Sequence, residues 1–509
     1  MNGYCFETRK EKIFKVGIDI SIMMTECIAV AKAANLHSST QGGPIRVLFF
    51  RLSKLARLPI LAWFVFDGRN RPTYKRGARV STEDPWWRPL CELLLKLFGF
   101  QFSQAPGEAE AELARMNKEG LVDAVMTSDS DAFAFGATCV LKRLPGSGEK
   151  YEHFRVYTLD ALENEEKVKM SRGGSILFAL LSGGDYSDGI TGFGPEIAHA
   201  LAQCGFGDVL LDNILQEAPA DHSHYLLKAW KTRLQDELCN NSNGFLPGMR
   251  PQLAASLPES FPDMHVLNLY THPITSWSEG HYGPDIPLKF GRTQEPDLDG
   301  IRDFCMTQFG WKDSILCKHL RKSVFEGAFN RMIFSVTRGT TTLNPWTKIT
   351  LSTLGFVARA NLVANCPELS SEQLDNLRSE SITVWVPARY CVPTLVEFER
   401  EGASNEPRPR APRRARRTRF NIQFTDLRCT PPPSIYDLAD KIPENLDSDD
   451  SDELPPVGTA AFHPCFARRG HEDQAAESCS NSSTALNSQA GPSQPGFPVV
   501  IDLTGLDDE

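Results

Sequence analysis

The chain has 509 residues, is 41% hydrophobic and carries a formal net charge of −10. This length suffices for two or three domains with buried cores, since one domain takes roughly 100 to 200 residues. The most apolar stretch, residues 45–66, is interrupted by Arg51, Lys54 and Arg57. It therefore falls short of the roughly 18 uncharged residues of a membrane span, and no membrane partner is predicted.

The thirteen cysteines form no C-x-x-C pair, and the polar first residues contain no secretory signal. A reduced, intracellular protein is the expectation. The net charge does not argue against nucleic acid, because the acidic tail and one short basic stretch are separated along the chain.

The first two predicted strands both end on an aspartate. The stretch KVGIDIS predicts a strand that ends at Asp19, followed by a helix, and residues 44–57 predict a second helix. The apolar run PILAWFVFDG then ends at Asp67, directly before a glycine turn. Ligand crevices form at the carboxyl ends of strands in open α/β sheets, so both carboxylates are candidate site residues.

Basic residues follow Asp67 in RNRPTYKRGARV: Arg69, Arg71, Lys75, Arg76 and Arg79. Cations beside a carboxylate cluster are what a phosphate substrate requires, although a solvated loop explains them equally well. A helix is predicted in PWWRPLCELLLKLFGF, and after residue 131 a hairpin in ATCVLKRL and HFRVYTLD.

Residues 105–131, APGEAEAELARMNKEGLVDAVMTSDSD, carry two acidic pairs. Glu108 and Glu110 begin a predicted helix, and Asp129 and Asp131 follow a predicted buried strand and face one side. Crowded carboxylates repel one another unless cations intervene, and their hard oxygens suit Mg²⁺ or Mn²⁺. A solvated helix face and a turn are the alternative. Glu112, deeper in the helix, is interpreted as a surface residue.

The stretch ILFALLSGGDYSDGITGFGPEIAHALAQCG predicts two helices joined by a loop that carries Asp185 and the glycines Gly192 and Gly194. Ile190 and Phe193 are expected to pack inward. Such a loop offers backbone N–H groups to a phosphate.

Five motifs in this order, GIDIS, FVFDG, APGEAEAELA, TSDSDAFAFGA and LLSGGDYSDGITGFGP, resemble the XPG/flap-endonuclease family of structure-specific DNA nucleases. The resemblance implies a PIN-like α/β domain that holds two Mg²⁺ ions, with Mn²⁺ as a substitute. It assigns the metal site to seven carboxylates: Asp19, Asp67, Glu108, Glu110, Asp129, Asp131 and Asp185. Among these, Glu110, Asp129 and Asp131 are expected to be the direct ligands.

The resemblance also assigns residues that contact DNA. Lys75 is similar in position to the basic residue of the family that contacts the scissile phosphate, and Arg79 is a looser match. The loop with Gly192 and Gly194 resembles the family's site for a monovalent cation, commonly K⁺. The implied reaction is in-line phosphodiester hydrolysis that leaves a 5′-phosphate and a 3′-hydroxyl.

Two departures from the family pattern indicate which branch of the family the chain resembles. No M-G-[IV]-x-x-L-W stretch precedes Lys15, so the chain is expected to lack a natural start. The interval from Arg79 to Glu108 is too short for a long helical arch, which favours an open site. Because ITVWVPA and PTLVEFE also look like a chromodomain-like module, the resemblance is greatest to fungal Holliday-junction resolvases, which implies self-dimerisation on four-way junctions.

Two other functions stay open. A flap endonuclease or repair-type nicking enzyme belongs to the same class. A catalytically silent junction-binding scaffold would retain the fold only, but an unused cluster of like charges would destabilise it.

The tail carries two interaction motifs. PRPRAPRRARRTRF has seven arginines between 408 and 419, which favours nuclear import, with a DNA tether and a solvated segment as alternatives. The end, PVVIDLTGLDDE, resembles a SUMO-interacting motif that adds a strand to SUMO through Val499, Val500, Ile501 and Leu503. The alternative is that this apolar patch docks on the chain's own nuclease domain.

The predicted fold class is α/β. Residues 1–200 are assigned to an XPG N/I-type, PIN-like nuclease core, and 201–345 to its helical DNA-binding extension beyond the helix–turn–helix hairpin. Residues 346–400 are assigned to a small chromodomain-like α+β module, and 401–509 to a disordered tail.

Overall fold

The computed structural model describes a large part of the chain. The described residues are 14–36, 42–58, 60–75, 77–79, 84–144, 153–215, 220–281, 283, 294–336, 346–387 and 500–501. None of the helices within these ranges is long and apolar enough to cross a membrane.

A seven-stranded sheet is the centre of the fold, in the order β11-β8-β7-β6-β1-β2-β5. Strand β1 lies between β2 and β6 and runs parallel to both, while β7 and β8 form an antiparallel hairpin. Its strands are β1 (Phe14–Asp19), β2 (Ile60–Phe66), β5 (Gln101–Gln104), β6 (Ala124–Met126), β7 (Cys139–Leu144), β8 (His153–Thr158) and β11 (Val500–Ile501). Two short strands, β3 (Tyr74–Lys75) and β4 (Ala78–Arg79), form a separate hairpin.

Helices cover the sheet and extend beyond it. In the first part of the chain they are α1 (Ile20–Ala33), α2 (Gly43–Leu55), α3 (Arg88–Leu97), α4 (Ala109–Lys118), α5 (Asp131–Ala134), α6 (Leu159–Asn164), α7 (Arg172–Ser182), α8 (Pro195–Gln203) and α9 (Phe206–Leu215). Later helices are α10 (Ala220–Asn240), α11 (Pro251–Ser256), α12 (Met264–Thr271), α13 (Leu298–Phe309), α14 (Asp313–His319) and α15 (Phe325–Val336), with a π-helical turn at Leu320–Val324 before α15.

The alternation of apolar side chains in β2 explains why helices pack on both faces of the sheet. Phe64 and Phe66 belong to the hydrophobic core on one face, which includes α1, α2 and α3. Trp63 and Val65 belong to the core on the other face, which includes α4, α7 and α8. A strand that is apolar on both faces is typical of a parallel sheet buried between two helical layers. The predicted α/β class is therefore confirmed.

A glycine after β2 brings two site loops together. The N–H of Gly68 donates to the carbonyl of Gly107 at 2.6 Å. A Cβ at position 68 would collide with the carbonyl oxygens of Ala105 and Pro106, so only glycine permits this approach. The turn that follows Asp67 is thus fixed against the segment that leads into α4.

Residues 346–387 form a small α+β unit that packs on the helical extension. Strands β9 (Trp346–Ser352) and β10 (Ser381–Pro387) pair antiparallel around α16 (Leu354–Arg359), α17 (Leu362–Asn365) and α18 (Ser371–Ser379). The ring of Phe356 stacks on Phe325 of α15 with centroids 4.6 Å apart. The predicted helix in PTLVEFE lies outside the described residues, and the chromodomain-like assignment and the domain boundaries stay predictions.

The carboxyl-terminal strand β11 pairs with the edge of the sheet. Val500 is opposite Arg155 and Ile501 is opposite Phe154, in antiparallel register with β8. The basic cluster and the rest of the predicted disordered tail lie outside the described residues.

Candidate metal centre

The seven predicted carboxylates lie along the carboxyl edge of the sheet and on the loops beside it. They come from separate elements: Asp19 ends β1, Asp67 follows β2, Glu108 and Glu110 begin α4, Asp129 and Asp131 follow β6, and Asp185 lies between α7 and α8. The parallel register of β1 with β2 and β6 brings the ends of these strands to one edge. The topology therefore assembles residues that are far apart in sequence.

Three of these carboxylates form the centre of the cluster. Glu110, Asp129 and Asp185 each offer an oxygen atom, and the three atoms lie within 4.8 Å of one another. Glu110 and Asp185 are buried, and Asp129 is half-buried. Thr127 at the end of β6 donates its hydroxyl to Glu110 and accepts the N–H of Asp129, at 3.3 and 3.1 Å.

The pKa values of the clustered carboxylates indicate that their negative charges need compensation. Burial, and then the charge of Asp67, raises the pKa of Asp19 to about 8. Burial, and then the charge of Asp129, raises the pKa of Asp131 to about 7 and places that of Glu110 well above its usual range. The carboxylates therefore need either protons or a compensating cation. Because every donor is a carboxylate oxygen, the set fits hard divalent cations such as Mg²⁺ and Mn²⁺.

Lys75 supplies a positive charge inside the cluster. Its ammonium contacts the carboxylate of Glu108 and lies 3.0 Å from Oδ2 of Asp185. Burial alone would lower the pKa of Lys75, but these carboxylates reverse the effect and raise it, so the side chain stays protonated. Strand β3 thus places Lys75 where the sequence predicted a basic residue beside the acids.

The carboxylate of Asp67 is oriented from two sides. Oδ2 accepts a hydrogen bond from Arg71 at 3.1 Å, and Oδ1 accepts one from the N–H of Ala109 at 2.9 Å. The second bond connects Asp67 to the first turn of α4, where Glu110 lies. Asp19 is oriented as the N-cap of α1, with its Oδ1 accepting from Ser21 and Ile22.

Other predicted site residues lie outside this centre. Arg79 is exposed on β4, opposite Tyr74 in the short hairpin. Gly192 has a φ of +92° in the loop between α7 and α8, and Gly194 is the N-cap of α8. Phe193 is buried and Ile190 packs partly buried against the same core, as predicted for the inward side of this loop.

The surface interpretation of Glu112 is wrong. The residue is only 2% exposed, and its Oε2 accepts the backbone N–H of Ser276 at 2.8 Å. The acidic repeat of α4 therefore has two uses: Glu108 and Glu110 belong to the cluster, and Glu112 holds a loop 164 residues away.

Two tyrosines that the sequence reasoning missed reach the cluster. Tyr186 donates its hydroxyl to Glu108, and Tyr270 donates its hydroxyl to Oδ2 of Asp131 at 3.0 Å. Tyr186 directly follows Asp185, so its position in the GGDY stretch was a usable signal. Tyr270 lies on α12, in a stretch without any recognised motif.

Comparison with known proteins agrees with this arrangement. The family model of the XPG I-region matches residues 99–185. The DNA repair protein rad13 of Schizosaccharomyces pombe is 31% identical over 225 residues, which is 43% of this chain and 18% of that protein. Flap endonuclease GEN-like 1 of Arabidopsis thaliana is 30% identical over 230 residues, 39% of this chain and 36% of that protein. The chain spans only 16 to 36% of the length of these and six further curated relatives.

A solved structure extends the likeness to most of the chain. The Holliday junction-resolving enzyme GEN1, in complex with product DNA and Mg²⁺, is similar with a TM-score of 0.56 and 28% identity. The match covers 78% of this chain and 94% of that one. The fold and the acidic edge define a PIN-like α/β core. With the match to the XPG I-region, they confirm the predicted resemblance to the XPG/flap-endonuclease family.

Proposed function

We propose that this protein is a divalent-metal-dependent, structure-specific endonuclease that hydrolyses phosphodiester bonds in branched DNA. The observation that carries the proposal is the close set of Glu110, Asp129 and Asp185 beside the ammonium of Lys75. Such a site holds cations and a phosphate together. The likeness to GEN1 with product DNA and Mg²⁺ supports the same substrate class.

Two Mg²⁺ ions would be held by the predicted carboxylates, with Glu110 and Asp129 as direct ligands and Asp131 or Asp185 completing the set. Solved GEN1 structures with Mg²⁺ and Mn²⁺ support both metals for this chain. When bound, Mg²⁺ supplies Lewis-acid chemistry, since it lowers the pKa of water and offsets charge on phosphate oxygens. Asp19, Asp67 and Glu108 would act directly or through ordered water.

The chain's own cations would bind and orient the phosphate. Lys75 stays protonated inside the cluster, so its ammonium can stabilise the negative charge that grows on the phosphoryl oxygens. Arg79 is exposed on the same hairpin and is proposed to contact the adjacent DNA backbone. The loop with Gly192 and Gly194 is proposed to hold K⁺ against the duplex, in line with a GEN1 structure that binds potassium.

The test of the metal site is a pair of conservative variants. Asp129→Asn and Asp131→Asn should abolish Mg²⁺-dependent nicking and leave the gel-shift affinity for a four-way junction nearly unchanged, because phosphate contacts come mostly from basic residues. Asp212→Asn, an exposed position on α9, is the matched control and should cut normally. Loss of binding together with cutting would contradict the assigned roles, and wild-type cutting would contradict the metal site.

Within the family we propose the Holliday-junction-resolving branch, with two protomers on one junction. The structural likeness to GEN1 over most of the chain supports this choice. Cleavage of a cruciform plasmid distinguishes the resolving branch from the repair-type branch. We expect paired, symmetric nicks, and we expect their rate to rise with protein concentration. A 5′ flap should be cut by a single protomer.

A repair-type nicking activity is the second candidate, because the similarity to rad13 is as high as that to the GEN-like proteins. Single nicks on the cruciform that never become paired, at any protein concentration, would assign the chain to this branch.

We propose a nuclear location, since the relatives include DNA repair proteins and residues 408–419 carry seven arginines. Deleting 408–419 should leave a fluorescent fusion in the cytoplasm. An unchanged nuclear signal would contradict the import role, and an unchanged salt slope of DNA binding would exclude the tether.

We also propose that Val499, Val500, Ile501 and Leu503 bind SUMO by strand addition. An extended peptide offers backbone hydrogen bonds at a sheet edge while its apolar side chains enter a groove. Val500 and Ile501 pair with β8, and this pairing supports the alternative in which the tail docks on the chain's own sheet. The same backbone groups cannot serve both sheets at once.

Calorimetry of SUMO with the full chain tests this proposal. The double variant Val500→Ala and Ile501→Ala should lose more than tenfold in affinity, since each buried methylene contributes about 0.8 kcal/mol. Val457→Ala, elsewhere in the tail, should bind normally. If the parent does not bind SUMO but deletion of 500–509 raises hydrogen exchange in β8, docking on the sheet is the correct use.

A further inference from the structure

Two tyrosine hydroxyls from different elements enter the acidic cluster side by side. Tyr270 on α12 donates to Oδ2 of Asp131 at 3.0 Å, and Tyr186 donates to Glu108. Their rings meet edge to face, with centroids 4.8 Å apart and an interplanar angle of 61°. Each ring thus holds the other in place while each hydroxyl contacts a different carboxylate.

The hydroxyl of Tyr270 reaches Asp131 only because residue 184 has no side chain. A Cβ at Gly184 would stand 2.7 Å from the hydroxyl oxygen of Tyr270, closer than real Cβ contacts allow. The φ of Gly184 is outside the left-handed region, so the backbone conformation alone does not require glycine. The approach of the tyrosine is the physical reason for glycine at this position.

Arg172 ties the two elements that carry this hydrogen bond. Its Nε donates to the carbonyl of Ala134, at the end of the helix that begins with Asp131, at 3.0 Å. Its guanidinium also donates to the carbonyl of Tyr270 at 3.4 Å. The ring of Tyr270 is fully buried and packs 5.7 Å from Phe135. These contacts hold the tyrosine against the end of α5.

The hydrogen bond between Tyr270 and Asp131 has a defined donor and acceptor. The phenol O–H of Tyr270 is the donor, and the carboxylate oxygen Oδ2 of Asp131 is the acceptor. A donor on Oδ2 fixes the orientation of the Asp131 carboxylate and favours its ionised form.

We infer that Tyr270 is a positioning residue of the metal centre, which orients Asp131 through a hydroxyl that Gly184 admits. This inference rests on the proposed function, because it assigns Asp131 to a metal site. Groups that orient metal ligands typically contribute 10- to 100-fold in metal affinity, and that range is the effect expected here.

Metal binding without DNA is the primary test. Tyr270→Phe keeps the ring and removes the hydroxyl, so calorimetric affinity for Mn²⁺ should fall about 10- to 100-fold while circular dichroism stays unchanged. Tyr225→Phe, at a 68% exposed position, is the matched control and should bind Mn²⁺ normally. Equal Mn²⁺ affinity of Tyr270→Phe and the parent would overturn the inference.

A double-mutant cycle separates positioning from general damage. Gly184→Ala should weaken Mn²⁺ binding in the parent by displacing the hydroxyl. The same change should cost much less in the Tyr270→Phe background, because the colliding oxygen is gone and only Ala179, whose Cβ is 3.0 Å away, still crowds the new methyl. An equal cost in both backgrounds would contradict the mechanism.

Nicking assays distinguish failure of this inference from failure of the proposed function. A parent that binds Mn²⁺, loses that affinity in Tyr270→Phe and yet cuts no branched DNA would refute the nuclease and leave the positioning role intact. A parent that cuts branched DNA while Tyr270→Phe binds Mn²⁺ equally would refute only the positioning role.

Discussion

Substitution of Glu112 tests how the loop beyond α12 supports helix α4, which carries Glu110. Glu112 is buried on α4, and its Oε2 accepts the N–H of Ser276, itself only 8% exposed. The same loop packs against the start of the helix, since a Cβ at Gly107 would stand 2.5 Å from the carbonyl oxygen of Ile274. Glu112→Ala should therefore release the loop and loosen the end of α4 that carries Glu110.

The expected size follows from that one hydrogen bond. A hydrogen bond to a charged group contributes about 1.5 to 3 kcal/mol, and its removal here leaves a buried N–H without an acceptor. Local opening of the loop should therefore become roughly 10- to 150-fold more frequent. Glu112→Gln keeps an acceptor oxygen at the same place and should cost less than Glu112→Ala.

Hydrogen exchange of a peptide that covers residues 272–281 measures this opening directly. Glu112→Ala should raise its exchange by one to two orders of magnitude, and Glu112→Gln should lie between this variant and the parent. Glu119→Ala, on the exposed end of the same helix, is the control and should leave this peptide protected. Unchanged exchange in Glu112→Ala would refute the structural role of the buried acid.

Three further outcomes are expected. The folded-state pKa values of Asp19 and Asp131, about 8 and 7, exceed the unfolded value of 3.8. The contribution of these two carboxyl groups to the stability of the metal-free protein is thus greatest below pH 4. This contribution is lost as the pH rises through 7 to 8. Thermal unfolding in EDTA should occur at lower temperature at pH 9 than at pH 6, with Mg²⁺ reducing the difference, and a higher midpoint at pH 9 would contradict the assignment. Lys75→Gln should bind Mn²⁺ at least as tightly as the parent, because the variant lacks a cation that competes with the metal for the carboxylates. The same variant should cut branched DNA more slowly. Weaker Mn²⁺ binding would argue against the contacts of Lys75 with the cluster. Arg331→Met should lower the free energy of unfolding, measured with urea, by about 2 to 4 kcal/mol, because the carbonyls of Gly99 and Gln294 lose their guanidinium donor. An unchanged urea midpoint would contradict this.

The strand-end carboxylates show what the sequence can predict. Asp19 and Asp67 each end a short apolar run, and parallel pairing of two such strands brings their carboxyl ends to one edge. Local patterns predicted these strands, and a general rule of α/β sheets predicted where their ends meet. Strands β1, β2 and β6, the β7–β8 hairpin and the convergence of the acids thus follow from the amino-acid sequence, whereas β5 was not predicted.

Buried polar contacts between distant segments do not follow from it. Glu112 was predicted to be solvated because it continues the E-x-E spacing further into α4, and its acceptor role depends on Ser276, 164 residues away. Tyr270 has no local signature either, since its significance comes from the space above Gly184. Such contacts depend on how distant segments pack in three dimensions. The periodicity of hydrophobic residues predicts helices and strands but not these contacts.

The distance between these contacts along the chain also has a consequence during synthesis. Asp19 leaves the ribosome first, and roughly 250 residues must follow before Tyr270 is available to hold Asp131. At about 5 to 20 residues per second, this delay is between about 12 and 50 s. A nascent chain therefore carries all seven carboxylates of the cluster before Tyr270 has been synthesised. Translation products that stop before α12 should therefore bind Mg²⁺ more weakly than the full chain.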